Sequence, residues 1–175
     1  NECRGLHPML ESIKENKESF ELLFLGEYSD GNIKDLNKII NNYGLTGYVK
    51  YKSWVPFEES LEYVKNADVG LVMFQPGYFN HVHALPHKLF DYMASGLPVI
   101  APDFAIEIAD IIIDSKCGLL VDSSNYLELK DALESFILKP SKINEMGENG
   151  KRAIREKYNW DIEGNKLVNM YREFN

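Results

Sequence analysis

Pro86-His87-Lys88-Leu89-Phe90-Asp91-Tyr92-Met93-Ala94-Ser95-Gly96-Leu97-Pro98-Val99-Ile100-Ala101-Pro102 decides how this chain folds. The stretch reads as one helix, a tight turn and a short buried strand. Pro86 suits the first helical position, because its φ is already helical and its absent N–H would have no partner there. Leu89 with Met93, and Phe90 with Ala94, form i,i+4 apolar pairs that bury one face. Gly96 is the expected C-cap, and Val99-Ile100-Ala101 is an apolar run between two prolines. The other face keeps His87, Lys88 and Asp91. A helix start offers free N–H groups and the positive end of the dipole, and with a lysine beside it suits a phosphate. A carboxylate one turn on would accept hydrogen bonds from the hydroxyls of an adjoining sugar. The same residues also fit a plainer account, an amphipathic helix on a sheet with Lys88 and Asp91 as a surface pair three residues apart.

Outward from this stretch, helices and strands alternate. Leu6, Met9, Leu10 and Ile13 mark a first helix, and Leu22–Leu25 a strand ending at Gly26. Ile33, Leu36, Ile39 and Ile40 mark a second helix closed by Gly44; Tyr48–Tyr51 reads as a strand, and Phe57, Leu61 and Val64 as a helix behind Pro56. Val69–Phe74 is a buried strand, followed by a loop from Gln75 to Leu85. After Ala101 come a helix over Ile106–Ile113, a strand at Gly118–Val121, and three helices near Leu127–Leu138, Ser141–Lys157 and Trp160–Phe174. Continuous apolar strands separated by helix-length segments predict one α/β domain over residues 1–175, a Rossmann-like parallel sheet with helices on both faces. Ligands of such sheets sit outside the carboxyl ends of the strands. That rule gathers Gly26, Glu27, Ser53-Trp54-Val55, the Gln75–Leu85 loop and the start of the Pro86 helix on one rim.

Composition excludes several alternatives. The 175 residues carry 19 Lys and Arg against 27 Asp and Glu, a formal net charge of −8, and no run of more than two basic residues. Nucleic-acid binding needs a basic stripe, and a polybasic membrane patch needs a cluster; neither is present. The longest apolar runs fall far below the ~20 residues of a membrane span. Cys3 and Cys117 have no metal-ligand spacing, which fits inert thiols of a cytoplasmic protein. Asn1 is no start residue, so the chain reads as a piece of something longer.

Several further motifs complete a resemblance. Arg4-Gly5, Leu25-Gly26, Lys52-Ser53-Trp54-Val55-Pro56 and Ala67-Asp68-Val69 resemble the carboxy-terminal half of GT-B glycosyltransferases. Lys88 to Ala101 is the strongest match, and Met146-Gly147-Glu148-Asn149-Gly150-Lys151 with Tyr158-Asn159-Trp160 matches the tail. Together they resemble glycosyltransferase family four, a retaining group that includes many bacterial polysaccharide enzymes. The resemblance implies a nucleotide-sugar donor site in this chain and a preceding domain that carries a glycan or lipid-linked acceptor. It implies diphosphate binding at Arg4, base contacts at Val55, a further donor contact at Gly26, and ribose hydroxyls at Asp91. Two acids eight residues apart are usual in the family; the second is Asp91, and His83 stands in place of the first. His87 and Glu107 complete the expected donor contacts, and Arg4 and Lys88 the catalytic ones. Those cations and the helix amides can carry the charge of the leaving diphosphate, so no metal cofactor is required.

His81, His83 and His87 form an H-x-H-x-x-x-H segment that a zinc reading would use, but no cysteine joins them, and polar contacts at a sugar pocket fit better. Trp160 and Tyr171 read as packing residues of the closing helices. Two other functions share the architecture: a nucleotide-sugar epimerase, and a nucleotide-binding module without catalysis, which the replacement at His83 favours. The full protein is expected in the cytoplasm, working at the inner face of a membrane if its acceptor is lipid-linked. One structural expectation follows from the resemblance. Only three residues precede Arg4, too few for the strand of about five residues that usually lies mid-sheet there. The Leu22–Leu25 and Val69–Phe74 strands therefore either close on each other or meet a second chain in a dimer.

Overall fold

Two parallel ladders carry the domain in the computed structural model, which describes residues 2–173. The first pairs β1 (Leu22–Leu25) with β2 (Val49–Lys52), in register from Leu22 opposite Val49 to Leu25 opposite Lys52. β2 alternates half-buried Val49 and Tyr51 with exposed Lys50 and Lys52, the pattern of a strand covered on one face only. The second ladder runs β3 (Gly70–Leu71), β4 (Val99–Pro102), β5 (Gly118–Val121), with β4 in the middle and all four of its residues buried. Around them lie α1 (Leu6–Ile13), α2 (Ile33–Asn42), α3 (Phe57–Lys65), the one-turn α4 (Phe79–Val82), α5 (His87–Ser95), α6 (Ile106–Ser115), α7 (Tyr126–Leu138), α8 (Ser141–Glu156) and α9 (Trp160–Glu173).

The core has two layers because strand side chains alternate. Met73 and Ile100 join Leu10, Leu36, Leu129 and Phe136 on one face, while Val72, Phe74, Val99 and Ala101 join Leu89, Met93 and Ile108 on the other. Helices thus cover both faces, as expected. Each fully buried Leu or Ile contributes about 1.5–3 kcal/mol relative to an exposed one. α8 approaches α5 so closely that a Cβ on Gly147 would lie 2.0 Å from the carbonyl oxygen of Gly96.

The expected single sheet is corrected to two. Among the described residues no ladder joins β1 to β3, so the two strands have not closed on each other. Residues Glu2–Arg4 form a 3-10 turn rather than a strand. The Val69–Phe74 strand is shortened to Gly70–Leu71, although the Val72 N–H still donates to Ile100 O at 2.9 Å. Gly70 and Val72 bond toward β4, so by alternation Leu71 and Met73 turn their backbone groups toward the seam. The chain start lines the upper end of that seam: Gln75 N–H donates to Cys3 O at 3.2 Å. Gly5 follows at φ 73°, its backbone so near Met73 O that a Cβ would come within 3.0 Å.

Two further expectations change. The Gln75–Leu85 loop contains the α4 turn. Trp160 and Tyr171 are 77% and 64% exposed, because α9 has no buried residue; the Trp160 ring leans over Gly164 of its own helix instead. Among the described residues no helix is long and apolar enough to cross a membrane. Cys3 and Cys117 form no disulfide.

Candidate functional site

Leu89 and Met93, both 0% exposed, fix the inner face of α5 against the core. Gly96, at φ 80°, ends the helix and returns its N–H to Met93 O at 3.1 Å. At the other end Pro86 is the N-cap, not the first helical residue: its ψ of 142° is extended, and its carbonyl closes the first turn from Leu89 N–H at 3.1 Å. No side chain caps this end, so the His87 and Lys88 amides face the rim with the dipole behind them.

Lys88 does not pair with Asp91. Its ammonium turns inward and donates to Leu71 O, one of the seam-facing carbonyls, at 3.0 Å. Burial lowers its pKa to about 8, and the nearby Arg4 guanidinium adds to the fall. The plain reading of an exposed Lys–Asp pair is therefore wrong. Neither Arg4 nor Lys88 forms an ion pair with a carboxylate among the described residues. Asp91 is half-buried on the next turn; desolvation raises its pKa, and His87 four residues earlier pulls it back. The site thus presents two cations, two free amides and one carboxylate.

Arg4 is exposed, but its guanidinium carbon lies 4.4 Å from the centroid of the Phe74 ring. The same ring stacks on His81 at 4.6 Å and 11°. His81 is 6% exposed and bonds through Nδ1 to Gln75 O at 2.9 Å, which puts its proton on Nδ1, because a carbonyl only accepts. Gln75 donates from its side-chain amide to Met73 O and Ser123 O, and the buried Ser123 hydroxyl donates to Phe74 O at 2.6 Å. Phe74 and Ser123 are absent from the expected site, and Gln75 enters it only as the first residue of the rim loop. Their signal in the sequence is only that polar residues follow buried strands, which many loops share.

The other expected residues are spread along the rim. His87 is exposed at the first position of α5, within reach of Asp91's charge. His83 is the exposed C-cap of α4, its ring 5.2 Å from that of Phe79. Gly26 adopts φ 117° and donates to Lys52 O; Val55 is half-buried before α3; Glu107 is exposed in the first turn of α6. None of these three hydrogen-bonds to Arg4, Lys88 or Asp91. No three of His, Cys, Asp and Glu gather as metal ligands among the described residues.

Parallel ladders covered by helices on both faces define a Rossmann-like domain of the GT-B kind. The chain belongs to the glycosyl transferases group 1 family, whose model matches residues 3–153. It is 29% identical over 147 residues to sucrose synthase 5 of Arabidopsis thaliana, covering 79% of this chain and 17% of that protein. It is 22% identical over 175 residues to the putative colanic acid biosynthesis glycosyltransferase WcaL of Escherichia coli K12, covering 97% and 42%. The backbone matches HepE from Anabaena, solved in complex with UDP, with a TM-score of 0.85 at 14% identity, over 99% of this chain and 46% of HepE. The chain therefore spans less than half the length of these proteins.

Proposed function

We propose that this chain is the donor-binding half of a retaining glycosyltransferase. It binds a nucleoside-diphosphate sugar, and a second domain presents a glycan or lipid-linked acceptor. The observation that carries the reading is the pair Arg4 and Lys88, two cations without carboxylate partners beside the open amino terminus of α5. A diphosphate satisfies both at once, and Asp91 then receives the ribose hydroxyls one turn on. The UDP in the HepE complex supports this occupant.

In the reaction the bond between the sugar C1 and the phosphate oxygen breaks, and the acceptor oxygen bonds to C1 from the same face. The acceptor proton passes to the leaving phosphate. Arg4, Lys88 and the amides oppose the charge that grows on that phosphate, the task a divalent ion performs elsewhere. The colanic acid role named for WcaL supports a place in bacterial polysaccharide synthesis, in the cytoplasm and, for a lipid-linked acceptor, at the inner face of the membrane. The exposed His83, where an acid is usual, favours one second reading, a module that binds nucleotide without transfer.

Calorimetric titration with UDP, GDP and ADP tests the donor site, and absence of binding by all three refutes it. Sugar transfer by the full-length protein, unaffected by EDTA, separates the enzyme from the module.

A further inference from the structure

Arg4 is an exposed side chain on a short turn, yet it is held at both ends. Its backbone is anchored by the neighbouring Cys3 carbonyl, which accepts from Gln75 N–H at 3.2 Å. Its guanidinium lies over Phe74, a ring that is 2% exposed and itself stacked on the buried His81. His81 is fixed in turn by its bond to Gln75 O, and Phe74 by the Ser123 hydroxyl on its carbonyl. We infer that Phe74 and His81 are positioning residues, a ring stack that holds the Arg4 guanidinium in its anion-binding orientation before ligand arrives. This rests on the donor-site reading above. An arginine in water loses considerable rotamer freedom when it binds, and a preset guanidinium loses less. A cation over an aromatic face gains enough to hold one rotamer, and a planar guanidinium stacks better than an ammonium.

The test is a double-mutant cycle read by calorimetry with UDP, GDP or ADP, whichever binds most tightly, using the full-length protein. F74L and F74M keep an apolar filler in the core and remove the aromatic face; R4Q removes the cation. F74L is expected to weaken nucleotide affinity about 3- to 30-fold in the wild-type background, and less than about 2-fold in the R4Q background. H81A is expected to follow F74L in direction, with a smaller effect. If F74L folds poorly, F74M is read in its place. Equal weakening by the Phe74 variants in both backgrounds, or none in either, overturns the positioning role and leaves the anion site standing. An R4Q variant that binds as wild type overturns the anion site at Arg4, and this inference with it.

Discussion

Replacing Lys88 with Met asks whether this ammonium is kept for a ligand. Burial lowers its pKa from 10.5 to about 8. At 1.36 kcal/mol per tenfold change in proton affinity, the charged form costs the folded chain about 3 kcal/mol at pH 7. Met has similar length and no charge, so K88M removes that cost but leaves Leu71 O without its ammonium, which returns about 1 kcal/mol. The variant should therefore be about 2 kcal/mol more stable at pH 7, roughly 4–8 °C in melting temperature for a domain of this size. Between pH 8 and 10.5 the unfolded lysine holds a proton that the folded one has lost, so wild-type stability rises with pH relative to K88M. The two stability curves meet near about pH 10. Binding moves the other way: losing one charge-assisted contact weakens nucleoside diphosphate affinity by about 1.5–3 kcal/mol, roughly 10- to 150-fold. Thermal melts from pH 7 to 10 and calorimetric titration read the two effects. A variant that melts below wild type at pH 7 would refute the cost assigned to burial, and unchanged affinity would remove Lys88 from the site.

Asp91→Ala should weaken nucleotide binding by about 1–3 kcal/mol through lost hydrogen bonds to the ribose; an unchanged dissociation constant takes Asp91 out of the site. A bound anion should raise the Lys88 pKa again, so binding at about pH 9 takes up close to one proton. Calorimetry in buffers of different ionisation enthalpy measures this, and zero uptake contradicts it. Gly147→Ala puts a methyl 2.0 Å from Gly96 O, and should cost about 1–3 kcal/mol in urea unfolding despite the better helix propensity of Ala. A stabilised variant would mean that α5 and α8 do not touch there.

The apolar run Val99–Ala101 is legible as a strand covered on both faces, and all four residues of β4 are buried, whereas Leu22–Leu25 is legible as a strand but is only half-buried, with Leu23 exposed. The glycines of α8 match a family motif, and the structure supplies their reason in the close approach to α5. Lys88 was harder. Spacing places it beside Asp91, and nothing along the chain shows that a flexible four-carbon stem reaches a carbonyl on β3 instead. His81, His83 and His87 look alike in sequence. One is buried against Phe74 and two are exposed, since α4 turns a single histidine inward. Trp160 misleads in the opposite sense, because a large aromatic in an amphipathic pattern signals burial only if the rest of the domain offers a surface for it, and α9 finds none.

The charges argue most strongly for the nature of the ligand. The chain has 27 acidic residues to 19 lysines and arginines, and nine of those cations pair with a carboxylate among the described residues. Lys14, Lys65, Lys151 and Lys166 each do so three residues away on their own helix, in solvent-facing pairs worth little. Arg4 and Lys88 have none, and they stand close enough to repel each other. Two mutually repelling cations, one of them withdrawn from water, are a cost that a neighbouring Asp would have relieved. A monoanion neutralises one of them. A diphosphate neutralises both and also accepts from the His87 and Lys88 amides, so affinity should climb from nucleoside to monophosphate to diphosphate. In the proposed reaction the diphosphate gains negative charge as the C1–O bond breaks. The same two cations then hold the departing product more strongly than the bound donor, and that difference lowers the barrier.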